Sequence, residues 1–295
     1  MIWRGVMPAI TTAFKPDLSI DHEFVAKHAH WLVDAGSTGI VAPGSLGEGA
    51  TLKHNEKIEL LKTLVNSVGS RVPVVAAVSA LSTAEAVEFA KEAEIAGCQG
   101  LMVLPPYVYK GTWEEMRFHF GAIFMATNLS CMLYNNPIAY GTDVLPRQVR
   151  ELADRYSTLH AVKESSADIR RVTGIRALLG DRLALFVGVD DVIVEGIDAG
   201  AVGWIAGLVN ALPKESIDLF NYAKEGKRVE ARKLYEWFLP LLQLDTTFDF
   251  VQLIKLVQAE VGMGSTRVRP PRLELSGDRL ESVKKLVHDR LAQRP

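Results

Sequence analysis

Two kinds of apolar run alternate along the chain. Short blocks in which nearly every residue is apolar, such as residues 39–43, 100–104 and 159–163, are separated by longer stretches whose apolar positions recur every three or four residues, such as 21–35 and 83–96. A block of about five residues with no polar face is too short for a helix and matches a strand covered on both sides. The longer stretches match helices with one buried stripe.

Read in order, the pattern predicts strands at 6–14, 39–43, 72–78, 100–104, 130–134, 159–163, 183–187 and 201–205. Helices are predicted between them at 21–35, 56–68, 83–96, 114–127, 146–156, 169–179 and 192–199. Eight strands alternating with helices specify an α/β protein of the closed (β/α)8 TIM-barrel type. A doubly wound open sheet is the structural alternative. After residue 207 only helices are predicted, from 213 to the end, with amphipathic stretches at 229–242 and 250–261. The expected organisation is a barrel over residues 1–212 and a C-terminal helical extension over 213–295. No linker separates them, so the extension is expected to pack on the barrel as part of the same structural unit.

An internal repeat supports the alternation. Residues 35–40, 96–101 and 199–204 share the pattern Ala-Gly-x-x-Gly-apolar at the helix-to-strand junction. The first glycine suits a left-handed helix cap and the second a tight turn into the next strand.

Composition narrows the function classes. With 295 residues, 48% hydrophobic and 23% charged, the chain can bury a large core and is not a disordered segment. A net charge of -2 with interspersed signs gives no footprint for nucleic acid or an anionic membrane, which leaves a small-molecule partner as the expectation. Cys98 and Cys131 sit in apolar contexts and read as reduced core residues. Residues 1–5 lack the apolar region of a signal peptide, and no apolar run reaches membrane-spanning length, so a cytoplasmic protein is expected.

Active sites of such barrels lie at the carboxyl ends of the strands. Those ends carry Thr11 and Thr12, Gly44-Ser45-Leu46-Gly47-Glu48, Ser79, Pro105-Pro106-Tyr107, Tyr134-Asn135-Asn136-Pro137, Lys163, Gly188-Val189-Asp190-Asp191, and Ala206 with Gly207. Lys163 is the only lysine among them. In an apolar barrel mouth its neutral amine would attack a carbonyl or imine carbon to form a Schiff base, although a strand-end lysine can also simply pair with a carboxylate. Lys255, within Leu253-Ile254-Lys255-Leu256, is the competing lysine and is expected to snorkel from an amphipathic helix. The loop at Ser45 and Leu46 offers amide donors and a hydroxyl to a carboxylate, Tyr134 a phenol for proton movement, and Asp190 and Asp191 either ligands or helix caps. No histidine–carboxylate spacing points to zinc, and no metal site is expected.

Together, Gly44-Ser45-Leu46-Gly47-Glu48, Tyr134-Asn135-Asn136-Pro137, Lys163-Glu164 and Gly188-Val189-Asp190 resemble the dihydrodipicolinate synthase and N-acetylneuraminate lyase family of class I Schiff-base barrels. The resemblance implies a Schiff-base enzyme with Lys163 as nucleophile and Tyr134 moving protons. It implies that Ser45 orients Tyr134 or binds a carboxylate, and that amides near Ser45 and Leu46 hold the carboxylate. Ser165, Gly188 and Asp190 would complete the substrate site. It implies no cofactor, and a homotetramer.

Three positions depart from the synthase pattern. Ala139 stands where an arginine binds the second carboxylate, Val108 where the relay tyrosine lies, and Leu46 where the second loop threonine lies. These departures, with Leu244-Asp245-Thr246 in the late segment, resemble the 1-pyrroline-4-hydroxy-2-carboxylate deaminases, which form 2-oxoglutarate semialdehyde and ammonia. The alternatives are a 2-keto-3-deoxy sugar acid dehydratase or aldolase and, in another class, a non-catalytic keto-acid sensor.

Overall fold

Short strands whose residues are almost all buried need cover on both faces, and a ring of helices around a closed sheet supplies it. The computed structural model describes residues 1–295 and contains the eight strands: β1 (Gly5–Pro8), β2 (Ile40–Ala42), β3 (Val74–Val78), β4 (Gly100–Val103), β5 (Ser130–Asn135), β6 (Leu159–Glu164), β7 (Ala184–Val187) and β8 (Gly203–Ala206). All pair in parallel, in the order β1-β8-β7-β6-β5-β4-β3-β2. The barrel therefore follows chain order, as the strand count predicts.

The first strand is shorter than expected, ending at Pro8 instead of Phe14. The Ala9 amide still donates to the Ala206 carbonyl at 3.0 Å, but the Ile10 amide donates to Val41 at 3.0 Å. The chain thus switches from β8 to β2 within one residue, which closes the barrel and ends regular pairing. Phe14 then pairs back on Ile20 in a local antiparallel bridge.

The helices between strands are α1 (His22–Asp34), α2 (His54–Val68), α3 (Thr83–Ile95), α4 (Trp113–Phe124), α5 (Pro137–Tyr140), α6 (Pro146–Arg155), α7 (Arg170–Leu179) and α8 (Ile193–Asp198). Their starts follow capping chemistry. Asp21 accepts from the Phe24 amide, Ser82 from Glu85 and Thr112 from Glu115, each satisfying a donor that the helix leaves free. Only α5 was not expected. It is a single turn in which Asn136 accepts from the Ala139 amide and Gly141 closes the end at φ 68°.

Past β8, α9 (Pro213–Lys224) packs against α8 and β1 and so completes the helical ring. The ring therefore takes in the first helix past residue 212. Three further helices, α10 (Arg228–Leu242), α11 (Phe250–Glu260) and α12 (Gly277–Ala292), pack on α9 and on one another. One buried apolar cluster runs from Trp3 to Val287, so the extension shares the core of the barrel. At the catalytic face, Thr11 Oγ1 donates to Gln258 Oε1 of α11 at 2.8 Å.

Candidate active site

β5 and β6 are in register with Tyr134 opposite Lys163, so both side chains lie on the same face of the sheet. Lys163 is 6% exposed and Tyr134 5%. Lys163 Nζ lies 4.0 Å from the Tyr134 ring centroid. Asn136 Nδ2 donates to the Tyr134 hydroxyl oxygen at 3.0 Å, which leaves the phenolic proton free to be donated.

Ser165 and Gly188 frame the same lysine. A side-chain carbon at Gly188 would overlap Ser165 Oγ and come within 2.8 Å of Lys163 Cγ, so only glycine lets the lysine stem and the serine lie side by side. The buried Ser165 hydroxyl has no hydrogen-bond partner in the protein. A buried hydroxyl left open in this way can bond a ligand atom or a water.

The loop after β2 faces the lysine across the barrel mouth. Its own backbone bonds run from Glu48 N to Ser45 O and from Gly49 N to Gly44 O, while the amides of Ser45, Leu46 and Gly47 donate to no protein acceptor. Ser45 and Leu46 border the cavity, and consecutive free amides in such a loop suit a carboxylate. The Ser45 hydroxyl bonds to Tyr140 and not to Tyr134, which corrects the expected orienting contact. Tyr140 enters because α5 folds it back over Tyr134, with ring centroids 5.8 Å apart. Burial raises the Tyr140 pKa above its ordinary value, and Tyr134 and Tyr107 add to the rise, so Tyr140 is a protonated donor at neutral pH.

The last residue of the loop answers the question of Lys255. That lysine is 2% exposed and does not snorkel. Its Nζ donates to Glu48 Oε1 at 2.5 Å and to the Arg267 carbonyl at 2.6 Å. α11 forms where the pattern at 250–261 predicts a helix, but its face carrying Lys255 is covered by the loop of the barrel.

Asp190 also differs from its expected role. It is fully buried and does not border the cavity. Its oxygens accept from Trp204 Nε1 at 2.9 Å, the Gly207 amide at 3.1 Å and the Leu208 amide at 2.8 Å. Those donors leave it no free face for a substrate hydroxyl, so Asp190 shapes the turn after β8. Asp191 does border the cavity. Burial pushes the Asp190 pKa up to about 6, against the pull of those three donors and of Lys163.

The cavity bounded by these groups measures about 1290 Å³. Leu46 forms part of its wall, and Val108 and Ala139 lie at its exposed edge. The α5 turn therefore contributes no arginine. Arg272 borders the cavity elsewhere and reaches toward Glu48 at 3.9 Å. The extension supplies one wall through Asp245, Thr246, Thr247 and Phe248. Asp245 lies at no strand end; it sits on a 3-10 turn, Gln243–Thr246, between α10 and α11. No group of three or more His, Cys, Asp or Glu side chains is arranged to hold a metal ion. No helix is long and apolar enough to cross a membrane.

Comparison with known proteins adds to the geometry. The model of the dihydrodipicolinate synthetase family matches residues 3–290. The 4-hydroxy-tetrahydrodipicolinate synthase of Desulforamulus reducens is 32% identical, with 96% of each chain covered. That of Methanocaldococcus jannaschii is 31% identical over 98% of this chain and 99% of its own. Among solved structures, a prophage protein of the dihydrodipicolinic acid synthase family from E. coli K12, in complex with pyruvate, superposes with a TM-score of 0.93. It is 26% identical, with 98% of this chain and 99% of that chain covered.

Proposed function

Since the chain belongs to the dihydrodipicolinate synthetase family, whose members are lyases acting through a Schiff base, we propose that it deaminates 1-pyrroline-4-hydroxy-2-carboxylate to 2-oxoglutarate semialdehyde and ammonia. Lys163, as the neutral amine, attacks the imine carbon next to the carboxylate. Breaking the ring carbon–nitrogen bond leaves an open-chain Schiff base with a free amino group at its far end. The protonated Schiff base draws electrons from the adjacent methylene, whose proton is lost to give an enamine. The enamine expels the hydroxyl on the next carbon as water. The unsaturation then shifts to the amino-bearing carbon, where hydrolysis releases ammonia, and a second hydrolysis frees Lys163. One water leaves and two enter, for a net uptake of one.

The other groups have matching tasks. Tyr134, with its proton free, carries protons during imine exchange, a role worth about 10²- to 10⁴-fold in rate. The open amides from Ser45 to Gly47 hold the carboxylate. Ser165, left without a partner, takes the hydroxyl or the departing nitrogen, and Gly188 makes the space for it.

The observation that favours this reading over a synthase is Ala139 in α5. The synthase pattern places an arginine there for a second carboxylate, whereas the pyrroline acid has one carboxylate and needs one amide cradle. The cavity is larger than a five-membered ring requires, which keeps the keto-deoxy sugar acid dehydratase or aldolase as the second reading. Purified protein incubated with the pyrroline acid is expected to release ammonia, and with keto-deoxy sugar acids to release no pyruvate. Pyruvate, or a keto acid lighter by one water, without ammonia would transfer the assignment to the second reading.

A further inference from the structure

Asp245 is a cavity-lining carboxyl that the steps above leave unused. It belongs to the helical extension, yet the 3-10 turn that carries it packs against the turn following β7 and brings the carboxyl over Gly207. A side-chain carbon at Gly207 would overlap Asp245 Oδ1 and lie 2.6 Å from Asp245 Cγ, so this approach exists only above a glycine. The Gly207 amide is turned the other way, into Asp190. Asp245 itself accepts no hydrogen bond from the protein. Of the two neighbouring carboxyls, Asp190 is saturated with N–H donors and suited to carry the charge, while Asp245 is bare and open to the cavity.

We propose that Asp245 is the general acid for water loss in the deaminase reaction, an inference that rests on that reading of the site. As the enamine electrons re-form the Schiff base and the new carbon–carbon double bond, the carbon–oxygen bond breaks. The Asp245 proton passes to the departing oxygen, which leaves as water, and Asp245 becomes a carboxylate. It regains a proton by taking one from the amino-bearing carbon, the step that moves the unsaturation toward the nitrogen. An aldol-type cleavage or condensation on the same lysine has no departing hydroxyl and no use for this acid.

Burial favours the protonated acid by raising the Asp245 pKa well above the usual carboxylate range. Asp190 and Asp191 on the turn after β7 add to the rise, and Lys163 on β6 opposes it.

The test compares the wild type with Asp245→Asn. With the pyrroline acid, the variant is expected to release ammonia at least about a hundredfold more slowly. Borohydride should still trap an adduct on Lys163, now the ring-opened species that retains its hydroxyl by mass. Trapping of pyruvate on Lys163 in the variant reports that the site is folded, and Asp245→Glu, which keeps the acid, provides a second comparison that should exceed Asp245→Asn in rate. Wild-type ammonia release should decline as pH rises through the Asp245 titration, and this limb should vanish in Asp245→Asn. Ammonia release by Asp245→Asn near the wild-type rate, or an adduct already lacking the hydroxyl, overturns the role of Asp245 and leaves the deaminase reading standing. Wild type that forms the adduct without releasing ammonia overturns both.

Discussion

Tyr134 and Lys163 occupy paired positions on neighbouring parallel strands, and the lysine nitrogen rests 4.0 Å from the centre of the tyrosine ring. An ammonium so placed gains about 0.5–2 kcal/mol from the ring face. The same placement keeps the nitrogen beside the phenol to which the proposed reaction gives proton transfer.

Lys163→Ala is expected to abolish borohydride trapping and to lower turnover by more than about 10³-fold, as removal of a nucleophile does elsewhere. Mass analysis of the trapped protein checks the first, and an ammonia assay the second. A variant that bound substrate as tightly as the wild type, beside a wild type that was never trapped, would place the chain among keto-acid sensors.

Tyr134→Phe removes a hydroxyl while keeping the ring beneath Lys163. The adduct should still form, more slowly, and turnover should fall by about 10²- to 10⁴-fold. Stopped single-turnover kinetics separate the two steps, and an unchanged turnover would reassign proton transfer to Tyr140 and Ser45.

Glu48 and Lys255 form a buried ion pair with side chains 0% and 3% exposed. Removing one partner leaves the other charge stranded, so Glu48→Gln should cost about 3–5 kcal/mol of stability. The double variant Glu48→Gln with Lys255→Met should recover much of that loss. Urea unfolding midpoints at constant slope provide the measurement.

How much of this was readable from the chain alone depends on what each residue's position required. The strands were legible because their blocks have no polar face, and Lys163 because no other lysine stands at a strand end. Leu253-Ile254-Lys255-Leu256 announces a helix but not that Glu48, some two hundred residues earlier, covers its lysine. Asp190 was visible as an acid near the site. Its burial depends on Trp204 and on the turn at Gly207, which come together only in the closed barrel. Leu244-Asp245-Thr246 adds to a resemblance, but nothing in it places Asp245 over Gly207, since that meeting is set by how the extension docks.

His28 yields a pH-dependent stability. Its Nε2–H donates to the Asn210 carbonyl at 2.9 Å, and burial lowers its pKa from 6.5 to about 4, the carbonyl opposing this weakly. The folded state holds the ring neutral where the unfolded chain would protonate it. Its stabilising contribution is complete above about pH 6.5 and is lost as pH falls toward about 4, by about 3 kcal/mol. Denaturant titrations across that range should show the decline, and His28→Gln, which keeps a donor for Asn210, should flatten it.

The ion pair between Glu48 and Lys255 ties the loop that follows β2 to a helix beyond the end of the barrel ring. Barrels of this kind invite recombination, in which the tail of one protein is spliced to the ring of another to gain a new substrate range. Here that splice would separate a buried charge from its counter-charge and Asp245 from the glycine that admits it. A workable chimera has to carry the early loop and the late helices together, as a single inherited cassette split across the two ends of the chain.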